Sequence, residues 1–304
     1  MILQHTVKKD FRFRGKGLHT GKVAEVTIKP APADYGIRFI RTDVPGRPVV
    51  AAVAENVTDT ARSTTISAGG VSVVTVEHLL SALTGMGIDN AEIEIDNVEV
   101  PILDGSAKPY IDAIWKGGIA EQDAPRKYLE LAAPVEIRDE ETGAYVRIEP
   151  ADEPSFDLTV DFNSKVLGIQ TAHWDKNVVY AEEIGICRTF VFFHEIEYLF
   201  QNNLIKGGDV DNAIVIVEYP VTQEQIDHMS KLFNAPFIGV SDNGYLNNLT
   251  LRFPNECARH KLLDLMGDMR LTGGFLKAKV TAFKSGHSIN TKAAREVAAN
   301  LKKN

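Results

Sequence analysis

Apolar and polar positions change period several times along the chain. Residues 23–29 and 36–41 alternate, the period of half-buried strands, and residues 72–76 are short and β-branched. The period then lengthens. Val76, Leu79, Leu80 and Leu83 lie at helical spacing, with Gly85 and Gly87 predicting the stop. Asp89-Asn90 predicts a turn, residues 91–95 a strand, Leu103-Asp104-Gly105-Ser106 a second turn, and residues 109–115 a short helix. The polar stretch 121–126, which contains Pro125, reads as a linker. Strands resume at 128–131, 135–138, 144–150 and 156–162, and 189–193 is a further apolar run. Ile196, Leu199 and Phe200 make a small amphipathic helix. Gly207-Gly208-Asp209 breaks it, and 213–217 is a continuous aliphatic strand. The strongest helix of the second half spans 254–271, opened by Pro254 and Asn255 and closed by Gly273-Gly274. Residues 275–283 alternate again, and 291–303 read as a charged terminal helix.

One internal echo organises these elements. His78, Leu80, Leu83 and Gly85 match His260, Leu262, Leu265 and Gly267 in identity and offset. In each half such a helix is followed by a turn and an alternating strand. The expectation is an α+β protein of two related domains, each a β-sheet layered with helices, facing each other so that the shared histidines lie near the seam between the helix layers. The boundaries expected are 1–122 and 127–304.

Composition narrows the function classes. The chain has 304 residues, one large domain or two medium ones, and 44% hydrophobic with 24% charged residues is the balance of a chain with a real core. Its 33 Lys and Arg against 41 Asp and Glu leave a net charge of −8, which disfavours nucleic acid or an anionic membrane as partner. No apolar run reaches the ~18 residues that span a bilayer, and the N-terminus lacks a secretory signal. Cys187 and Cys257 form neither a disulfide framework nor a multi-cysteine zinc site. A cytoplasmic protein is expected.

Candidate chemistry concentrates on the two echoed helices. His260 and Asp264 are one helical turn apart, a spacing at which imidazole and carboxylate can chelate one zinc ion, though such pairs are also common as surface pairs or caps. A zinc hydrolase needs a third ligand and an open position, and His78 is the echoed candidate. Its neighbour Glu77 is the right type to take a proton from water. His287, in Lys284-Ser285-Gly286-His287, is presented by a glycine turn after a strand and can reach a cleft, or be an ordinary loop residue. His19, between Gly17 and Gly21, suggests a phosphate-cradling loop. It lacks the Gly-Lys-Ser/Thr ending and a following helix, so nucleotide triphosphate binding is rejected.

Taken together, the motifs resemble one family. Gly17-Leu18-His19-Thr20-Gly21, Thr75-Val76-Glu77-His78-Leu79, Gly87-Ile88-Asp89-Asn90, Pro101-Ile102-Leu103-Asp104-Gly105-Ser106, Arg188-Thr189-Phe190, Arg259-His260-Lys261 with Asp264 and Gly267-Asp268, and Lys284-Ser285-Gly286-His287 occur in the order found in UDP-3-O-acyl-N-acetylglucosamine deacetylase. That is the zinc amidase of lipid A (lipopolysaccharide) synthesis in Gram-negative bacteria. The resemblance implies hydrolysis of the acetamide of UDP-3-O-acyl-N-acetylglucosamine to acetate and UDP-3-O-acyl-glucosamine. It implies one catalytic Zn2+ on His78, His260 and Asp264, with Fe2+ as an alternative in the cell. Glu77 would be the general base, and His287 the general acid, supported by Asp268. Thr189 would bond the tetrahedral oxyanion. Lys261 and Lys284 would face the diphosphate or hexosamine, Phe162 would pack on the uracil, and His19 would lie close to the cleft.

An acyl chain needs an apolar channel. Phe190, Phe192, Ile196, Leu199, Phe200 and Leu204, in a strand–helix insertion around 189–217, are the candidates, with ordinary core as the alternative for each. No basic nucleotide contact is assigned near Arg138 and Arg147. Some members of the family continue into a fused dehydratase domain, a partner expected at the C-terminal side. Two other classes stay open: a non-catalytic module with a nucleotide-sugar site, and a different zinc amidase or peptidase. A pure binder has no use for Glu77 beside a ligand, and comparing acylated with non-acylated substrates separates the rest.

Overall fold

Two five-stranded sheets in the computed structural model, which describes residues 2–201, 206–209, 211–232 and 238–301, share one connectivity. The first sheet runs Phe11–Lys16, Val23–Pro30, Ala91–Ile95, Ile37–Arg41, Val49–Ala51. The second runs Val135–Arg138, Tyr145–Pro150, Ala278–Phe283, Ser155–Asp161, Ile169–Trp174. In each, the last strand in sequence inserts at the centre, antiparallel to one neighbour and parallel to the other. A parallel pair needs a crossover connection. Each crossover carries an echoed helix, Glu77–Gly85 in the first half and Glu256–Met269 in the second.

Strand alternation and helix periodicity then define the layers. Val26, Ile28, Ile93 and Ile95 of the first sheet, and Val146, Ile148, Leu158, Val160 and Val280 of the second, are buried in one continuous cluster with Leu79, Leu80 and Leu83 of one helix and Leu262, Leu263, Leu265 and Met266 of the other. The two echoed helices pack directly on each other, and Glu256–Met269 also packs on Ser155–Asp161 and Ile169–Trp174. The result is an α+β arrangement of sheet, helices, helices, sheet, with the echoed histidines at the seam between the helix layers.

Each half carries an insertion. The first has a three-stranded antiparallel sheet, Val57–Asp59, Thr65–Ala68 and Val71–Val73. The second has the parallel pair Phe190–Phe192 and Ile214–Ile216, with the Phe193–Gln201 helix following the first strand.

The structure corrects two expectations. The stretch 121–126 is not a free linker. Residues Ile119–Pro125 form a strand, antiparallel to Leu3–Val7, whose polar side chains alternate between exposed and half-buried. Its polarity reflects a surface strand. Arg126 then closes on the Asp89 carboxylate at 2.9 and 2.8 Å, with its guanidinium 4.0 Å over the Phe275 ring. Arg270 covers the same ring at 4.5 Å and donates to the Ile88 and Asp89 carbonyls. The terminal helix runs His287–Ala299 rather than from residue 291. His, Ser, Ile and Asn are indifferent helix formers, so its first turn is weak in the sequence, but burial of Ile289 and Asn290 draws it into the helix. His287 is thus the first residue of a helix, directly after the extended Gly286.

Candidate active site

The two echoed helices bring five side chains into one buried cluster, and the start of the terminal helix sets a sixth, His287, beside it. His78 and Glu77 occupy the first turn of their helix, while His260, Asp264 and Asp268 follow one another at successive turns of the other. All five are buried.

His78 Nε2 lies 3.4 Å and His260 Nε2 3.5 Å from Asp264 Oδ1, and the imidazole centroids are 4.9 Å apart at 89°. The three donor atoms all lie within 4.8 Å of one another, the one such group of three or more found among the described residues. Tetrahedral ligands at about 2.0–2.1 Å from a zinc ion sit about 3.4 Å apart, so the spacing fits a divalent cation. Asp264 Oδ1 is buried without a hydrogen-bond donor, a costly arrangement unless a cation completes it. His260 Nδ1 faces the Cys187 carbonyl at 3.0 Å, a contact that fixes Nε2 as the free donor atom. Burial pushes the His260 pKa down to about 4, which keeps the ring neutral, the ligating form. Burial opposes ionisation of Asp264. Lys261, with its ammonium 2.8 Å from Oδ2, and His260 nonetheless hold that carboxyl well below its usual range.

Beside this group, His287 stands between two carboxylates. Its Nδ1 is 3.0 Å from Asp268 Oδ2, and its Nε2 is 3.9 Å from Glu77 Oε1. Burial alone would lower the His287 pKa, but the charge and hydrogen bond of Asp268 raise it to about 9. Burial raises the Glu77 carboxyl above its ordinary value, partly offset by His287 and His78. A carboxylate made more basic and an imidazole held cationic are an acid–base pair of the kind active sites assemble.

The remaining expected residues surround the cluster. Thr189 follows Arg188, whose guanidinium is locked on the buried Glu256. Thr189, His19, Phe190, Ile196, Leu199 and Leu18 line a largely apolar cavity of about 110 Å³. The Phe190 ring lies 6.4 Å from His260, so the cavity adjoins the cluster. Phe192 does not line it. Its ring packs edge-on with Phe162 and Phe190 instead. Phe162 is half exposed, near Lys284, whose ammonium is 3.0 Å from Asp161. Lys261 is committed to Asp264. Leu204 and the side chain of Phe200 lie outside the described residues. A concavity of about 850 Å³ beside the Gln223–Leu232 helix is an open groove that none of the clustered residues lines.

Three contributors escape sequence reasoning. Thr64 donates its backbone N–H to Glu77 Oε2 and its hydroxyl to Asp268 Oδ1, and Asn290 donates to Asp268 Oδ2. Glu99, buried, accepts the N–H groups of His19 and Thr20 at 2.9 and 2.8 Å. The glycine-flanked loop therefore wraps the protein's own carboxylate. An isolated Thr, Asn or Glu carries no motif; for Glu99 the one cue is the glycine at 17, where a Cβ would lie 2.3 Å from its carboxylate oxygen.

Comparison with known proteins places these positions in context. A family model described as UDP-3-O-acyl N-acetylglycosamine deacetylase matches residues 4–233 and 228–299. The chain is 43% identical over its full length to a protein of Porphyromonas gingivalis named bifunctional enzyme LpxC/FabZ, of which it covers 66%, and 43% identical over 98% of its length to one of the same name from Bacteroides thetaiotaomicron, of which it covers 64%. It thus spans about two thirds of those bifunctional relatives. It is also 40% identical over 97% of its length to a UDP-3-O-acyl-N-acetylglucosamine deacetylase of Cellvibrio japonicus, covering 90% of that protein.

Proposed function

Because the chain belongs to the UDP-3-O-acyl N-acetylglycosamine deacetylase family, we propose that it hydrolyses the acetamide of UDP-3-O-acyl-N-acetylglucosamine, releasing acetate and UDP-3-O-acyl-glucosamine for lipid A. One observation carries this reading: His78, His260 and Asp264 converge around a point that Glu77 and His287 also face.

His78, His260 and Asp264 hold a zinc ion in this reading, with Fe2+ as the cellular alternative. When bound, the ion polarises the scissile carbonyl and acidifies the attacking water. Glu77 takes that water's proton. Its Oε2 is occupied by the Thr64 N–H, so Oε1 faces the reaction. Water oxygen bonds to the acetyl carbon, the C–N bond breaks, and the departing amine takes a proton from His287 Nε2. Asp268 keeps Nδ1 protonated, so Nε2 carries the proton to be given. Thr189 bonds the oxyanion. Lys284 and Phe162 meet the nucleotide sugar, and the cavity beyond Thr189 takes the start of the acyl chain. Lys261, bound to Asp264, steadies the ligand carboxylate and adds positive charge toward the diphosphate.

The reading places the reaction in the cytoplasm. No helix among the described residues is long and apolar enough to cross a membrane. The relatives named bifunctional enzyme LpxC/FabZ support a fused second domain in proteins of this kind, which the resemblance implies to be a dehydratase. The test pairs elemental analysis with acetate release. About one zinc per chain and acetate from the acylated UDP-sugar are expected, with Glu77→Ala keeping the metal and losing turnover. Near wild-type turnover in Glu77→Ala rejects the base assignment, and sugar binding without acetate rejects the enzyme.

A further inference from the structure

Thr64 is fully buried at the entry to the Thr65–Ala68 strand of the inserted three-stranded sheet, two residues after the left-handed Arg62. Each of its polar atoms is spent inside the cluster. The backbone N–H donates to Glu77 Oε2 at 3.0 Å, and the hydroxyl donates to Asp268 Oδ1 at 2.6 Å. The hydroxyl oxygen also lies 3.3 Å from His287 Nδ1. Its carbonyl accepts the N–H of Val76, the residue before Glu77.

A carboxylate has two equivalent oxygens and rotates between them unless one is held. Both carboxylates beside His287 are held by Thr64, each by the oxygen remote from the imidazole. Glu77 Oε1 is left 3.9 Å from His287 Nε2, and Asp268 Oδ2 is left 3.0 Å from His287 Nδ1. We propose that Thr64 is a positioning residue of the reaction, which orients the Glu77 and Asp268 carboxylates so that one oxygen of each faces His287. The inference rests on the deacetylase reading for its kinetics but not for its geometry. A hydroxyl has a single proton to donate. Donating it to Asp268 leaves Thr64 able only to accept from His287, which reinforces the protonated Nδ1. Asn290 secures the other Asp268 oxygen at 2.9 Å, so this carboxylate is fixed from both ends. The device also ties the first half's insertion to the second half's helix, since Thr64 and Asp268 come from opposite sheets' layers.

The test compares Thr64→Val, which keeps the shape and the backbone N–H but removes the hydroxyl, with Thr64→Ser, which restores it, both zinc-loaded. Groups that orient a reacting side chain typically cost about 10–100-fold when removed. Thr64→Val is expected to lose that factor in kcat with KM and zinc content near wild type, and Thr64→Ser to recover most of it. If valine unfolds the protein, Thr64→Ala carries the same comparison. A second readout needs no turnover. The imidazole N–H resonance of His287 by nitrogen-edited NMR should shift or broaden in Thr64→Val and return in Thr64→Ser. Unchanged kcat in Thr64→Val, or a serine variant as impaired as the valine one, overturns the proposal. Should the wild type release no acetate, the deacetylase reading falls, and the His287 resonance alone decides Thr64.

Discussion

Gly267 lies directly against the backbone carbonyl of Glu77: a Cβ placed on Gly267 would sit 2.1 Å from that oxygen. The helix carrying His260 and Asp264 can approach the helix carrying His78 this closely because residue 267 has no side chain. Alanine in a helix interior is normally favoured over glycine by about 1 kcal/mol. Here the clash is with rigid backbone, and overpacking of that kind costs about 1–3 kcal/mol. Gly267→Ala is expected to lower the urea midpoint and to weaken metal binding, since the helices must part. A variant as stable as wild type with full metal affinity would show that the approach is dispensable.

Asp268 sets the protonation of His287. If the cationic imidazole is the active form, as proposed, activity should fall as pH rises through its pKa, about 9. Asp268→Asn removes the charge that raises this pKa, so the basic limb of kcat/KM should move to lower pH, toward the ordinary histidine value of about 6.5. A pH–rate profile checks the direction, and a limb that stays in place assigns it to another group.

Chelation should cost stability as well as activity. In the proposed reading a cation satisfies the donorless Asp264 Oδ1, and an ion present at about 100 times its Kd stabilises the native state by about 2.7 kcal/mol. Calorimetry before and after chelator treatment should show a lower Tm, restored by one equivalent of zinc. Equal melting of the two forms argues against a structural share for the ion.

The Arg126–Asp89 pair should matter to the docking of the two halves. Both side chains are nearly buried, and the bonds are bidentate. Removing one partner of such a pair costs about 3–5 kcal/mol because the other charge stays buried alone. Arg126→Met is expected to destabilise by that amount in denaturant titrations, and pairing it with Asp89→Asn should recover part of the loss. Additive losses in the double variant would mean the two residues do not act together.

Much of the cluster was legible before the fold. His260 and Asp264 are candidates by helical spacing, with a surface pair or cap as the open alternative, and His78 by the echo; the resemblance joins them, and the matching helices of the two halves do meet at a shared seam. Glu77 followed from adjacency. His287 was visible as a candidate, but the helix it opens was not, since its first turn is built from indifferent formers and held by burial. Residues 121–126 were misread because a polar surface strand and a linker have the same composition. The partnerships of Lys261 with Asp264 and of Thr64 with two carboxylates join positions whose meeting no local pattern encodes.

The shared strand order of the two sheets has an evolutionary consequence. Two halves of one strand order are what duplication of a single unit would leave: one half carries a histidine and an acid at the head of its helix, the other a histidine followed by two acids. In the proposed reading neither half carries the full ligand set, so the cation would be gripped only across the join. Affinity for that ion would thereby gauge how faithfully the halves mate, and a distant lesion that loosens them should register as metal loss.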